Sequence, residues 1–273
     1  MQKKKKQLLF AFVCLPFAFS VGGLATAVQA KLPQTPMLIA ADGNKQQMSA
    51  VDLYNRGVDK LETGNYKGAI ADFDQAIQLN SKDADSYYNR AYARSLLGNY
   101  SQAIKDYTEA IRLKPGFGDA YSNRAYAYYV AGNYREAIAD CTEAIRLNPK
   151  NADAYIYRGN AYDELGNHQS ALENYNLALK QDPKNPKTYY NRAIAYNRMG
   201  ENEKAIDDYT QSIRLDAQFA EAYYNRGVTN LRLGNRQEGV DDMRKAANIY
   251  QAQKRTQDYN DTMQALEKLQ QTQ

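Results

Sequence analysis

The chain has 273 residues, 44% of them hydrophobic, and its formal net charge at neutral pH is +4. The four lysines Lys3–Lys6 supply that excess, so the remainder carries as many basic as acidic side chains. A neutral chain lacks the positive footprint of most nucleic-acid-binding proteins, and we therefore expect no nucleic-acid partner.

Residues 1–30 have the organisation of a secretory signal peptide. Lys3–Lys6 precede an apolar stretch, Leu8–Leu24, and small residues then offer cleavage sites after Ala27 or Ala30. The alternative is an uncleaved anchor, because the apolar stretch approaches the length needed to cross a bilayer. The small residues favour cleavage, which predicts export to the periplasm or an equivalent lumen. Membrane attachment is expected only if the signal is retained.

Residues 31–49 are predicted to form a flexible linker. They contain Pro33, Pro36 and Gly43 among several polar residues, and they show no periodicity. This composition is typical of a flexible connection between an export signal and a folded region.

Residues 50–253 consist of six copies of a 34-residue unit without insertions. The copies are residues 50–83, 84–117, 118–151, 152–185, 186–219 and 220–253. One glycine recurs at the same position of every copy: Gly64, Gly98, Gly132, Gly166, Gly200 and Gly234. A unit of this length cannot bury its apolar face alone, so the copies must stack into one elongated array.

Each copy is predicted to contain two helices that meet at the recurring glycine. Glycine ends the first helix in a left-handed conformation, and the Asn that usually follows can cap the second. Glu136 stands three residues after Asn133, the spacing of a capping box. No segment alternates with the period of a strand, so the fold class is all-α.

The apolar stripes of the third copy illustrate the expected core. Tyr121, Ala125 and Tyr128 share one face of the first helix, and Ala137 and Cys141 share one face of the second. Large and small side chains that alternate in this way allow helices to interdigitate.

Two polar columns lie close to these stripes and predict a structural ladder. A guanidinium at the edge of a core must be paired, because a desolvated lone charge is costly. The pairing is expected within a repeat or between neighbours, and the alternative is an arginine row that binds an anionic ligand. The arginines are Arg56, Arg90, Arg124, Arg158, Arg192 and Arg226; the acids are Asp72, Asp106, Asp140, Asp208 and Asp242, with Asn174 in the fourth copy.

The opposite face of the first helices carries carboxamides and tyrosines, and it is the predicted peptide-binding surface. Asn offers both a donor and an acceptor to a peptide backbone, and Tyr offers large contact area at low entropic cost. The alternative is an evenly polar exposed face that reflects repeat duplication. The candidates are Asn55, Asn89, Asn123, Asn160, Asn191, Asn225, Tyr54, Tyr88, Tyr92, Tyr126, Tyr129, Tyr157, Tyr190 and Tyr224.

The repeats resemble the tetratricopeptide repeat family over residues 50–253. The residue types of that family appear in the third copy as Tyr121, Ala125, Tyr128, Gly132, Ala137, Cys141, Ala144 and Pro149. Among the departures are Cys141 in place of an aromatic residue and Gly239 in place of Ala. The resemblance implies a right-handed α-solenoid of helix-turn-helix repeats, whose first helices line a concave groove for extended peptides or partner proteins.

Two known groove types of this family help to interpret the candidates. The Asn column is similar to the asparagine ladder in the repeat domain of O-GlcNAc transferase. The clamp that binds chaperone tails requires lysine beside the Asn positions, where this chain has Tyr54, Tyr88, Tyr190 and Tyr224 among others. Chaperone tails are therefore poor candidate partners.

Residues 254–273 are predicted to form a capping helix. Tyr259, Met263, Leu266 and Leu269 recur at helical spacing, which suits a helix that covers the exposed face of the last repeat. The alternative is a docking helix for another protein.

No constellation of residues indicates catalysis, a metal site, a cofactor or a small-molecule substrate. The single histidine, His168, stands where other copies have Tyr and is interpreted as a packing residue, and Cys141 as a core residue. The predicted function is a non-catalytic scaffold that binds a peptide or partner protein in an exported or envelope complex. The alternatives are a self-associating array and a non-catalytic subunit that presents substrates to a separate enzyme.

Overall fold

The computed structural model describes residues 48–271, and these residues form helices joined by short turns without any strand. The predicted signal peptide and most of the predicted linker lie outside the described residues. The helices are α1 Ala50–Glu62, α2 Tyr66–Leu79, α3 Ala84–Leu96, α4 Tyr100–Leu113, α5 Gly118–Val130, α6 Tyr134–Leu147, α7 Ala152–Glu164, α8 His168–Gln181, α9 Pro186–Arg198, α10 Asn202–Leu215, α11 Ala220–Leu233, α12 Arg236–Ala252 and α13 Thr256–Gln271.

The helices form the predicted all-α solenoid. Helices α1 to α12 pair as six helix-turn-helix repeats, and each helix packs on the helices that precede and follow it in the chain. Helix α13 packs on α12 and buries Thr262 and Leu266, as the capping-helix prediction required. The predicted fold class is confirmed. No helix within residues 48–271 has the length and hydropathy needed to cross a membrane.

The turn inside each repeat depends on its glycine. The six turn glycines have φ between 77° and 88°, a region in which side-chain-bearing residues are strained. In the first repeat the Asn that follows the glycine, Asn65, caps the second helix. Its side chain accepts a hydrogen bond from the backbone N–H of Gly68 at 3.0 Å. Asn133 makes no such bond, so the capping box expected with Glu136 is absent.

An aromatic side chain of the second helix fills the centre of most repeats. It packs against a glycine or alanine of the first helix, and at Gly159 an added Cβ would lie 2.7 Å from the ring of Tyr175. The close approach of the two helices therefore requires a small residue there. The fully buried aromatic residues are Phe73, Tyr107, Tyr175 and Tyr209.

The predicted apolar stripes are only partly correct. Ala125 and Cys141 are buried, but Tyr121 and Tyr128 are half-buried. The guanidinium of Arg124 lies 5.6 Å from the centre of the Tyr121 ring and 5.8 Å from that of Tyr128. The two rings therefore flank the arginine column and do not fill the centre of the repeat.

Arg124 shows how an arginine of repeats 2 to 6 joins three helices. Its Nε and Nη2 donate to the two carboxylate oxygens of Asp140 at 2.7 and 2.8 Å, which links α5 to α6. Its Nη1 donates to Thr108 Oγ1 on α4 of the preceding repeat at 2.9 Å. Arg124 therefore makes both kinds of pairing that the sequence left open, one within its repeat and one with a neighbouring repeat.

The other arginines repeat this arrangement. Bidentate bonds within a repeat join Arg56 to Asp72, Arg90 to Asp106, Arg192 to Asp208 and Arg226 to Asp242. Bonds to the preceding repeat join Arg90 to Asp74, Arg158 to Thr142, Arg192 to Asn176 and Arg226 to Thr210. Each arginine of repeats 2 to 6 therefore fixes the position of its repeat on the one before it.

Helix α1 differs from the first helices of repeats 2 to 6 at the positions where those helices contact the preceding repeat. In repeats 2 to 6 the residues equivalent to Asp52 and Asp59 are small and buried, whereas these two acids are exposed. Arg56 is 43% exposed, against 14–20% for the equivalent arginines that have salt bridges in later repeats. This end of the array therefore carries the polar surface expected of a terminal repeat.

We expect Arg124→Met to lower the free energy of unfolding by about 3 kcal/mol, because it leaves a buried carboxylate on Asp140 without its partner. The Arg124 and Asp140 side chains are 14% and 9% exposed. Arg146→Met is the matched control, since Arg146 pairs with Glu143 on an exposed surface. Thermal denaturation measures both. Equal and small shifts in melting temperature would contradict a structural role for the arginine column.

Candidate functional site

The asparagine face is the surface of the first helices that carries Asn55, Asn89, Asn123, Asn191 and Asn225. The sequence suggested that this face is exposed, and for most of the predicted residues that expectation is wrong. Asn55, Asn123, Asn191, Tyr129 and Tyr224 are half-buried. The buried candidates are Tyr54, Tyr88, Tyr92, Tyr126, Tyr157, Tyr190, Asn89, Asn160 and Asn225.

The buried tyrosines are held between consecutive repeats by a recurring hydrogen bond. The hydroxyl of Tyr88 accepts from Asn123 Nδ2 of the next repeat at 2.9 Å. The same bond joins Asn89 to Tyr54 at 3.0 Å and Asn225 to Tyr190 at 2.9 Å. The side chains assigned to ligand binding are thus also a contact between neighbouring repeats.

The environment of these phenols keeps them neutral. Burial, together with the nearby carboxylates of Asp85 and Asp83, raises the pKa of Tyr54 to about 12. The Tyr88 ring packs against that of Phe117, with 4.6 Å between the ring centres, and burial raises the pKa of Tyr88 well above its usual value. A neutral hydroxyl remains an acceptor for the Asn amide across the physiological pH range.

The Tyr–Asn bond is missing on both sides of the fourth repeat. Ser122 replaces the tyrosine of the third repeat, and Tyr157 replaces the asparagine of the fourth. The ring of Tyr157 instead packs on that of Tyr126, with 5.2 Å between the ring centres. At the next junction Ile156 replaces the tyrosine, and Asn191 has a different partner.

Asn160 provides that partner. Its Oδ1 accepts from Asn191 Nδ2 at 3.0 Å and from the Tyr175 hydroxyl at 2.8 Å. Asn160 stands where the second and third repeats have Tyr92 and Tyr126. A short carboxamide in place of an aromatic ring therefore connects three helices of repeats 4 and 5.

A buried carboxylate lies one helical turn further along. Asp163 is only 6% exposed, and its Oδ1 lies 2.6 Å from His168 Nδ1. Its Oδ2 accepts from Arg198 Nη1 of the next repeat at 2.5 Å, and Arg198 Nη2 lies 3.2 Å from Glu164 Oε1. Burial raises the pKa of Asp163, while Arg198 and His168 oppose that rise.

Asp163, Glu164 and Arg198 are not among the site residues predicted from the sequence, and His168 was expected only to pack. Asp163 and His168 differ from the residues at the same positions of the other copies, which is the signal that could have identified them. Glu164 and Arg198 carry no such signal, because Glu62 and Arg232 stand at the same position of other copies. The contact with Asp163 orients the imidazole of His168. The surrounding groups are amides and phenols, whose chemistry is to bind and position a ligand. Within residues 48–271 no group of three metal-binding side chains occurs.

The half-buried carboxamides retain a free acceptor. Asn123 and Asn191 donate through Nδ2, and no described residue donates to their Oδ1 atoms. Tyr129 is also half-buried, and burial, with Glu164 as the largest electrostatic contribution, raises the pKa of its phenol. Amide acceptors, a phenol and a Glu–Arg pair can together engage the backbone and side chains of a bound peptide.

Comparison with known protein families gives the identity of the repeats. Profiles described as tetratricopeptide repeat match residues 84–117, 122–186, 174–207 and 220–253. A profile described as TPR repeat matches residues 59–98 and 195–234. The chain belongs to the tetratricopeptide repeat family. Its repeats are those of a protein-interaction scaffold, the role typical of this family.

Solved structures share the fold of this tetratricopeptide repeat protein. MamA from Desulfovibrio magneticus RS-1 is 19% identical, with a TM-score of 0.57 over 62% of this chain and 96% of that one. YrrB, described as a TPR protein with an unusual peptide-binding site, is 25% identical, with a TM-score of 0.53 over 65% and 91%. A chain of the APC/C hetero-tetramer Cut9–Hcn1 is 19% identical, with a TM-score of 0.64 over 74% and 40%. Among curated proteins no sequence match is found.

We expect Tyr88→Phe to lower the free energy of unfolding by about 1–2 kcal/mol, because Asn123 Nδ2 loses its acceptor at a mostly buried site. Tyr121→Phe is the control, since the Tyr121 ring contacts Arg124 through its face and the substitution keeps that ring. Chemical denaturation of both variants measures the difference. If both variants have the stability of the unmodified chain, the Tyr–Asn bond contributes nothing to the stacking of repeats.

Proposed function

We propose that the protein is a non-catalytic scaffold that binds an extended peptide, or an extended segment of a partner protein, along the asparagine face. The observation that carries the proposal is the fixed orientation of Asn123 and Asn191. Each carboxamide is held through Nδ2 by a buried neighbour, and its Oδ1 remains available to accept from a peptide N–H.

The held carboxamides favour binding because little side-chain freedom is left to lose. An Asn that is already bonded to the preceding repeat does not have to be ordered by its ligand, and preorganisation of this kind increases affinity. The likeness to YrrB, whose description names a peptide-binding site, supports the same type of ligand.

The fourth and fifth repeats are the part of the face that would discriminate between ligands. Glu164 and Arg198 present opposite charges next to each other, and Tyr129 adds a phenol at the same level. A ligand that crosses this region meets charged groups that the duplicated Tyr–Asn positions do not offer. Selectivity then follows from charge pairing at repeats 4 and 5, and general affinity from the carboxamides.

The proposal predicts that Asn123→Ala combined with Asn191→Ala reduces the retention of a bound partner about tenfold or more. Two hydrogen bonds to the peptide are lost, each contributing about 1 kcal/mol. The measurement is a paired pull-down with the full chain and the double variant as baits, quantified by mass spectrometry. Asn248→Ala, on the exposed side of α12, is the control.

Melting temperatures of the three baits separate loss of binding from loss of folding. A partner that the full chain and the control retain, and that a folded double variant releases, supports the asparagine face. Identical partner lists for all three baits would contradict it.

Export forms part of the same proposal and rests on the residues 1–30 described above. The mature protein is expected to begin at Val28 or Lys31, after cleavage behind Ala27 or Ala30. Cell fractionation followed by N-terminal sequencing checks this. A protein that begins at Met1 and stays in the cytosolic fraction would contradict export, and one that begins at Met1 in the membrane fraction would indicate a retained anchor.

A further inference from the structure

In the described part of the chain, the large exposed hydrophobic side chains are concentrated on one edge. Of the seven large hydrophobic residues that are exposed in the described part of the chain, five lie where a first helix ends. We call them the turn row, and each is between 37% and 41% exposed: Leu97, Val130, Leu165, Met199 and Leu233.

Single exposed hydrophobic residues need no explanation, but a contiguous row does. Leu165, Met199 and Leu233 occupy the same position of consecutive repeats, and these turns are neighbours in space. Arg198, next to Met199, reaches Glu164, next to Leu165. Repeat stacking therefore lines up apolar side chains that would be unremarkable one at a time.

The charges beside the turn row indicate what can cover it. Glu164 precedes Leu165, whereas Arg198 and Arg232 precede Met199 and Leu233. Acids on the following turns, Glu136, Glu201 and Glu203 among them, leave this edge without the positive excess that an anionic lipid surface would attract. The order of an acid followed by a base is instead self-complementary when a second copy runs in the opposite direction.

We propose that the turn row is the contact surface of a two-fold homodimer. In the antiparallel register that places the Glu164–Arg198 ion pair of one copy against the same pair of the other, Leu165 also meets Met199 of the partner copy. Repeats 3 and 6 then face each other at the ends of the contact. Such an interface is isologous, so it closes as a dimer and does not extend into a filament.

The turn row lies at the ends of the first helices, whereas the carboxamides of the asparagine face lie along them, but Glu164 and Arg198 border both surfaces. Self-association is therefore measured without a peptide ligand. The contact involves a few side chains per copy, which places it among small and reversible interfaces. Self-association is therefore expected to depend on protein concentration.

The decisive experiment is sedimentation equilibrium of the full chain over a concentration series. The unmodified chain is expected to show a monomer–dimer equilibrium. Leu165→Gln with Met199→Gln is expected to raise the dissociation constant about tenfold or more, since the Leu165–Met199 contact is lost in both halves of the interface. The control is Val51→Gln with Leu79→Gln, the other two exposed large hydrophobic residues, which should leave the equilibrium unchanged.

Two results would overturn the proposal: a monomer at every concentration, or a dimer that persists in the Leu165 and Met199 variant. Binding of the unmodified monomer to anionic phospholipid vesicles, lost in that variant, would assign the row to a lipid surface instead. The register has its own test. Leu165→Cys mixed with Met199→Cys should form disulfide-linked dimers faster than either variant alone under mild oxidation. Equal rates in all three samples would exclude the antiparallel arrangement.

Discussion

The pairing of one arginine with two second helices is the interaction on which the rest of the array depends. Arg124 binds Asp140 within its repeat and Thr108 in the preceding one, so the same side chain sets the angle inside a repeat and the position between repeats. Removing a guanidinium from water is costly unless every strong bond is made, and a misplaced repeat would leave those bonds unmade. The main effect of the arginine column is therefore to select one stacking arrangement, and its contribution to stability is secondary.

Repeat 4 departs from this pattern and from the Tyr–Asn pattern together. Asn174 replaces the carboxylate that the other arginines bind, so Arg158 makes its bonds to the neutral acceptors Asn174 and Thr142. In the same repeat, Asn160 and Asp163 replace the residues of other copies and form new bonds to repeat 5. Duplication alone would copy both patterns unchanged. The coincidence of these changes in one repeat is the structural reason for the proposal that ligands are discriminated there.

The helices and the stacking could be predicted from the sequence because they follow from local rules and from a fixed 34-residue period. The surface of the first helices could not. A stripe analysis assumes one buried face, but a first helix in a solenoid packs on its own second helix and on both neighbouring repeats. Tyr88 was therefore assigned to the exposed side, although the next repeat covers it. Asp163 and Arg198 were missed because 35 residues separate them, and no period links an acid in one copy to a base in the next.

In the proposed function, the Tyr–Asn bond places stability and binding in the same residues. Asn123 stabilises the junction of repeats 2 and 3 through Nδ2 and offers Oδ1 to a ligand. A ligand that bonds to Oδ1 polarises the amide and strengthens the bond to Tyr88, so ligand binding and repeat stacking should reinforce each other. At the junctions around repeat 4, where this bond is missing, the proposed ligand meets the charges of Glu164 and Arg198 beside the single held carboxamide of Asn191. Affinity then depends on the regular repeats and selectivity on the irregular one, because only the irregular repeat differs from its neighbours.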